Sequence, residues 1–582
     1  MRGRRIVAIG AVVAIGAVGA TLAVAGAVGL VASTGVLRPG ASPAALGAPR
    51  FVDERATAGL ATTYAGDADY ATGGGVAAFD CDDDGRPDLL VAGGAGPSTL
   101  YRNESPVGGS LRFVPAASVA VGAPGSGAPG SGAPGSGAGV GGAVLGPGVL
   151  GAYPLDVDGD GHVDLAILRT DGLRLLRGTG DCGFDDGNRV WSLDGGSGWT
   201  SGFSASWEGT ATLPTLAIGR YLKVSAGTPT FDCDDNALVR PVTGGSGYGP
   251  PLTLAPGYCT LSILFSDWDR SGRRDLRVTN DRQYYRDGEE QLWRVEPGAA
   301  PRLYTDADGW RRVQIWGMGI ASQDLTGDGY PEVFLTSQGD NKLQTLAAGA
   351  AQPGYRDIAL KRGVTVTQPF TGGDALPSTA WHPQFEDLNN DGLIDLFVSK
   401  GNVNVMPDYA AKDPSNLLIG QPDGTFVEGA EAAGIVSFDR GRGAAIVDLN
   451  LDGLLDLVQV NYGAPLGVWR NVGGGDATAP TAMGGWLAVR LSQPGPDRDA
   501  IGAWLDVRSG ATTTSRELTV GGGHLGGGLG WVHVGLGSAD GADVRVHWPD
   551  GEIGPWLHAQ ANQFLDLERG ATTLRAWTPA NP

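Results

Sequence analysis

Six times along this 582-residue chain, an acidic loop of the form Asp-x-Asp-x-Asp-Gly-x-x-Asp, or a close variant of it, stands between two apolar runs. The loops begin at Asp80, Asp156, Asp267, Asp324, Asp387 and Asp448, with spacings of 76, 111, 57, 63 and 61 residues. A strand-loop-strand unit recurring about every 60 residues fits a four-stranded propeller blade, and it bounds the fold before any domain count does. The spacing of 76 absorbs a low-complexity insert at 120–145, built on copies of Ala-Pro-Gly-Ser-Gly. The spacing of 111 hides another unit. Trp207 to Gly219 aligns without a gap to a loop and the strand after it, but its ligand positions hold Trp207, Gly209, Ala211 and Thr215. Six intact loops and one degenerate loop predict an all-β chain: a seven-bladed β-propeller with calcium-binding loops over 50–475, followed by a small all-β C-terminal domain over 484–570.

Closure of the ring can also be read. Most units end in a segment like Phe426-Val427-Glu428 running to Ala433-Gly434-Ile435, and the last unit lacks one. An equivalent, Phe51-Val52-Asp53-Glu54 running to Ala58-Gly59-Leu60, precedes the first loop. A strand from the N-terminal side completing the last blade would leave no open sheet edge.

Calcium takes about 6–8 hard oxygen ligands, and a loop with side-chain oxygens at positions 1, 3, 5 and 9 and a backbone carbonyl at 7 can wrap one ion. The first set is Asp80, Asp82, Asp84 and Asp88, and the second Asp156, Asp158, Asp160 and Asp164. Asp267, Asp269, Ser271 and Asp275 follow, then Asp324, Thr326, Asp328 and Glu332. Asp387, Asn389, Asp391 and Asp395 form the fifth set, and Asp448, Asn450, Asp452 and Asp456 the sixth. Where an acid is replaced, at Ser271, Thr326, Asn389 and Asn450, an oxygen is kept, which coordination requires and mere acidity does not. Glycine at position 6 permits the sharp bend. The loops lack the twelfth-position Glu of an EF-hand and stand between strands rather than helices. About six Ca2+ ions are the expected cofactor; they would move the net charge from −21 to −9.

That acidity argues against a nucleic-acid partner and against an anionic membrane surface. The one expected membrane contact is the N-terminus, where Arg2, Arg4 and Arg5 precede an uncharged run from Ile6 to Ala32. As a helix it would span about 40 Å, longer than the usual signal core of about 7–15 residues. Residues 1–33 are therefore expected to export the chain as a signal peptide or an N-terminal anchor, with 34–49 as a tether. Cys81, Cys182, Cys233 and Cys259 have no C-x-x-C spacing and, in an exported chain, predict two disulfides. Three pairings are open; Cys81 with Cys182 and Cys233 with Cys259 is favoured because the second closes a short Gly- and Pro-rich excursion.

These loops resemble the FG-GAP/VCBS repeats of integrin α-subunit propellers and of the cartilage acidic protein family. Asp499-Ala500-Ile501-Gly502-Ala503, Val520-Gly521-Gly522-Gly523-His524-Leu525, Val534-Gly535-Leu536-Gly537 and Val546-His547-Trp548-Pro549-Asp550-Gly551 are similar to the ASPIC/UnbV module that follows such repeats. The resemblance covers about residues 50–570, and it implies a bacterial relative of that family with a seven-bladed propeller.

Catalytic motifs are sparse. His524, His533 and His547 share the C-terminal domain without a metal-binding spacing, and no G-x-S-x-G elbow is present. The leading expectation is a calcium-stabilised scaffold, at the cell surface or secreted, that binds an unidentified protein or glycan. The alternative is a calcium-dependent, lyase-like polysaccharide-processing enzyme. It needs a cation and a base converging on a uronate, and its one candidate cluster runs from Asp281 to Trp293 with Arg282, Tyr284, Tyr285 and Arg286.

Overall fold

The computed structural model describes residues 45–116, 144–225, 228–281, 288–347, 349–476 and 479–582. The expected N-terminal segment 1–33, most of the tether, nearly all of the insert, and Arg282, Tyr284, Tyr285 and Arg286 lie outside the described residues.

After each acidic loop the sequence runs apolar without alternation, as in Leu165-Ala166-Ile167-Leu168 and Leu396-Phe397-Val398, and these side chains are buried. A strand with no solvent side belongs between two packed neighbours. Among the described residues seven such sheets follow one another, each with a path of four antiparallel strands. Their innermost strands are Val76–Phe79, Val149–Leu155, Thr200–Ser206, Thr260–Ser266, Gly317–Gln323, Ala380–Glu386 and Gly441–Val447. Each packs against the next, and the last packs against the first. The seventh sheet takes its outer strand from the N-terminal side: β1 (Phe51–Asp53) pairs antiparallel with Gly467–Asn471, Phe51 opposite Asn471 and Asp53 opposite Trp469. The third sheet, with Thr200–Ser206 and Thr215–Arg220, is the unit whose loop has lost its acids.

The C-terminal domain is two four-stranded sheets over one apolar core that includes Leu487, Leu505, Val544 and Leu565. One sheet holds a parallel pair, Gly485–Ser492 with Gln563–Glu568, and its edge strand Arg575–Trp577 carries the domain past residue 570.

Between strands Thr512–Glu517 and Val532–Gly537 this domain sends a glycine-rich segment, 519–530, down the axis of the ring. Ala152 donates its N–H to the Leu525 carbonyl (3.2 Å), Ala78 to Gly527 (3.0 Å) and Ala205 to Val520 (3.3 Å). Gly522 donates to Ile263 (2.8 Å) and Gly523 to Ile320 (2.7 Å). His524 reaches His382 in the sixth sheet, and in the seventh a Cβ on Gly443 would stand 3.0 Å from the His524 carbonyl. The segment thus meets the innermost strand of every sheet. Six of those strands carry a register shift near their start, for example between Val149 and Gly151 and between Ala380 and Pro383. A bulge leaves backbone groups unpaired within its own ladder, and here several turn to the axial segment. Glycine is required by the closeness: a Cβ on Gly526 would lie 2.1 Å from the Val76 carbonyl oxygen, and one on Gly151 1.9 Å from that of Leu525.

Two disulfides staple neighbouring sheets. Cys81 joins Cys182, linking the first acidic loop to the second sheet, and Cys233 joins Cys259, which stands just ahead of the innermost strand of the fourth sheet.

Candidate metal centres

Each acidic loop joins the first and second strands of its sheet, so all six lie at one end of the ring. Position 1 caps the turn. The Asp80 carboxylate accepts the N–H of Asp84 (3.2 Å) and of Gly85 (2.7 Å), and Asp448 accepts those of Asp452 (3.1 Å) and Gly453 (2.7 Å). The glycines at position 6 have φ of +83 to +95°, which an L side chain adopts only under strain. Position 5 accepts the N–H of position 7, as Asp391 does from Leu393 (2.9 Å).

Position 9 is the first residue of the second strand, and it spans two strands. Asp88 accepts the N–H of Cys81 and of Asn103, Asp164 those of Val157 and Gly178, and Asp395 those of Leu388 and Gly420. Asp456 repeats the pattern with Leu449 and Asn471, and Glu332 accepts from the Leu325 N–H and the Thr345 hydroxyl. These five carboxylates are buried, and their donors are neutral.

Three carboxylates converge closely in the first two loops. Carboxylate oxygens of Asp80, Asp82 and Asp88 lie within 4.8 Å of one another, as do those of Asp156, Asp158 and Asp164. Burial lifts Asp80 to about 6, Asp156 to about 7 and Asp164 to about 8, and it raises Asp88, Asp387, Asp395, Asp448 and Asp456 well above the usual range. Such a cluster takes up either protons or a cation. The fit to a cation is tested by position 3. Oδ1 of Asp82, Oδ1 of Asp158 and Oδ1 of Asn450 are each buried without a hydrogen-bond partner, and Asn450 has no exposed surface. A buried oxygen without a partner is costly, and the same atom recurs in three loops. A hard cation would satisfy all three.

The third loop differs. Its position-9 residue, Asp275, takes a bidentate pair from Arg273, Nε to Oδ1 at 3.0 Å and Nη2 to Oδ2 at 3.1 Å. The Trp268 indole and the Tyr304 hydroxyl donate to the same carboxylate, both at 2.8 Å. In the degenerate loop Glu208 is held by Arg240 (2.8 Å) and by the Thr215 hydroxyl (2.9 Å). Neither arginine announces itself in the sequence: Arg273 stands at position 7, where the loop pattern asks only for a backbone carbonyl, and Arg240 lies 32 residues from its partner.

Also unforeseen was the cover on this end of the ring. The C-terminal domain stands on the acidic loops: Trp531 donates to the Gly85 carbonyl (3.1 Å), and a Cβ on Gly85 would meet Trp577, one on Gly161 Arg498, and one on Gly453 Trp486. His533 Nε2 donates to Asn390 Oδ1 at 2.6 Å, and Asp267 donates its N–H to Glu517 at 2.8 Å. A cavity of about 290 Å³ remains between the two, lined in part by Glu386, Asp499, Arg516 and Glu517. His547 contacts Asp506 at 2.9 Å, so His524, His533 and His547 serve separate contacts. Asp281, at one end of the candidate catalytic cluster, accepts from the Tyr221 hydroxyl.

The sequence matches the ASPIC and UnbV family over residues 493–574 and the FG-GAP-like repeat over 387–459. It is 25% identical to mouse cartilage acidic protein 1 over 203 residues, covering 33% of this chain and 28% of that protein, and 24% identical to the human protein over the same length, covering 33% and 27%. The frog Xenopus tropicalis counterpart is 22% identical over 262 residues, 42% of this chain and 37% of its own. The chain therefore spans well under half the length of the relatives it matches. Among solved structures, BBS1N in complex with ARL6DN covers 74% of this chain and 98% of its own at 9% identity and a TM-score of 0.40. The Dos1 propeller covers 75% and 96%, at 9% identity and a TM-score of 0.32. The chain carries FG-GAP-like repeat sequence and an ASPIC/UnbV module, with weak similarity to cartilage acidic protein 1.

Proposed function

We propose that this chain is an exported, calcium-clamped interaction scaffold that binds a protein or glycan ligand on the end of the ring opposite the acidic loops. The observation that carries the calcium reading is the repeated, partnerless position-3 oxygen at Asp82, Asp158 and Asn450. Two disulfides accord with an oxidising compartment outside the cytoplasm.

The choice of face rests on what covers each. The acidic-loop end carries the C-terminal domain. The opposite end is formed by the turns between second and third strands and by the connections from one sheet to the next. Phe231, Leu376, Val405, Met406 and Phe438 are exposed there, Val405 at 85% and Phe231 at 87%. The last four lie on linked loops: Arg440 donates to the Asn404 carbonyl, the Ala411 N–H donates to Asp374, and the Lys412 ammonium stands 5.9 Å from the Phe438 ring. Clustered apolar groups with a polar rim mark an interaction surface.

The experiment is a calcium titration paired with a ligand screen. Chelation is expected to lower the melting temperature by many degrees, and added calcium to restore it. On protein and glycan arrays, Val405→Asp and Phe438→Asp are expected to abolish capture without changing the melt. An EDTA-insensitive melt refutes the calcium reading; cleavage of a uronic-acid polymer by the purified chain refutes the scaffold.

A further inference from the structure

We infer that the third and fourth sheets form a sector of the ring that needs no calcium, with arginine side chains standing where the other sheets hold an ion. The inference rests on the calcium reading for the other five loops.

The fourth sheet has the sequence of a metal loop and the contacts of an ion-paired one. In the other five loops the position-9 carboxylate accepts only neutral donors, whereas both oxygens of Asp275 are taken by the Arg273 guanidinium. Arg273 belongs to the loop itself, so its side chain folds back from position 7 into the space a cation would fill, and it also stands 3.5 Å from Asp269 at position 3. Asp275 is fully buried, and three further donors, the Trp268 indole, the Tyr304 hydroxyl and the Val295 N–H, saturate it. A planar guanidinium matches a carboxylate through two parallel hydrogen bonds and keeps its charge at any working pH.

Other arginines near metal loops behave differently. Arg177 pairs with Asp158 and Asp160 from a neighbouring strand, but it leaves Asp164 to neutral donors and Oδ1 of Asp158 without a partner. Arg86, also at position 7 and buried, donates to the carbonyls of Ser105 and Ala580 with Nε 3.5 Å from Asp84, and it leaves Asp88 to neutral donors.

The third sheet repeats the device with other residues. Arg240 holds Glu208 and extends to the carbonyls of Ala299 and Glu296 in the fourth sheet's territory, at 2.6 and 2.9 Å. Cys233–Cys259 crosses the same boundary. The fourth sheet also grips the C-terminal domain: Arg270 lies 3.9 Å over the Trp504 ring, Arg274 donates to the carbonyls of Gly502 and Pro549, and Glu517 accepts from the Asp267 N–H and the Ser266 hydroxyl. When calcium is withdrawn, this sector stays closed and keeps the C-terminal domain attached, while the acidic loops elsewhere loosen.

The test counts ions by native mass spectrometry of the intact chain in excess calcium and follows backbone exchange after EDTA. Five ions per chain are expected; six overturn the inference, and none overturns the calcium reading beneath it. Asp269→Ala is expected to leave the count at five, whereas Asp158→Ala lowers it to four; a loss at Asp269→Ala also overturns the inference. After EDTA, amides of 267–275 are expected to keep their protection while those of 387–395 and 448–456 lose it at least tenfold. Equal loss at all three rejects the calcium-independent sector. Arg273→Leu with Ser271→Asp should raise the count to six; if that variant does not fold, the Asp269 and Asp158 pair still decides.

Discussion

His524 in the axial segment donates its backbone N–H to Nδ1 of His382 at 3.0 Å, across 142 residues of sequence. His524 Nε2 lies 2.9 Å from the Thr72 carbonyl, and neither residue is more than 3% exposed. Burial holds His382 at about 4 and His524 at about 3, with the Arg442 charge adding to the depression at His524. Unfolded, both titrate near 6.5. Between pH 6.5 and about 4 the unfolded chain gains protons that the native one refuses, so stability falls as pH falls. The slope reaches about 1.4 kcal/mol per pH unit for each ring. In saturating calcium, the melting temperature should drop from pH 6.5 to 5, and less steeply in His382→Gln; equal slopes would remove these histidines from the account.

The axial segment tolerates no extra carbon where it touches backbone. Gly526→Ala should cost on the order of 2–3 kcal/mol, because its Cβ would meet the Val76 carbonyl oxygen at 2.1 Å. Gly528→Ala, whose nearest contact is 3.6 Å, should be close to neutral. Denaturant midpoints of the two variants make the comparison.

Asp448→Asn should remove one calcium ion and lower the melting temperature in calcium by several degrees. In EDTA the sign should weaken or reverse, since the variant no longer buries a carboxylate that burial has pushed well above its usual range. Paired melts with and without calcium read this directly.

Arg240→Ala should destabilise by about 2 kcal/mol, less than for a fully buried pair because both side chains keep some exposure. The calcium count should not change. A fall in the count would place an ion in the third sheet.

The recurrence of strand, loop and strand was legible in the sequence because both its parts have local causes: uninterrupted apolar runs such as Leu89-Leu90-Val91, and a glycine where the turn needs positive φ. The closing strand Phe51–Asp53 was legible for the same reason, as a copy of a recurring segment. What the sequence hid depends on distance. Glu208 and Arg240 carry no mutual signal, and Arg273 looks like any solvent-facing residue until Trp268 and Tyr304 enclose its partner. The glycines of 521–528 read as turns. Only the closeness of Val76 and Leu525 to the neighbouring backbone reveals that they serve passage through a narrow axis.

Closure by β1 also sets an order of assembly. Beside that strand Glu54 pairs with Arg470 at 2.9 Å, across 416 residues. The first residues of the ring must therefore wait for nearly the last, and the axis then waits for 519–530. Contacts of such long range slow folding and leave sheet edges open in the meantime. A nascent chain that stops before residue 519 could close its circle but not fill it. The glycine-rich segment is in this sense the final step of biogenesis, and a chain truncated ahead of it would offer quality-control proteases a hollow ring.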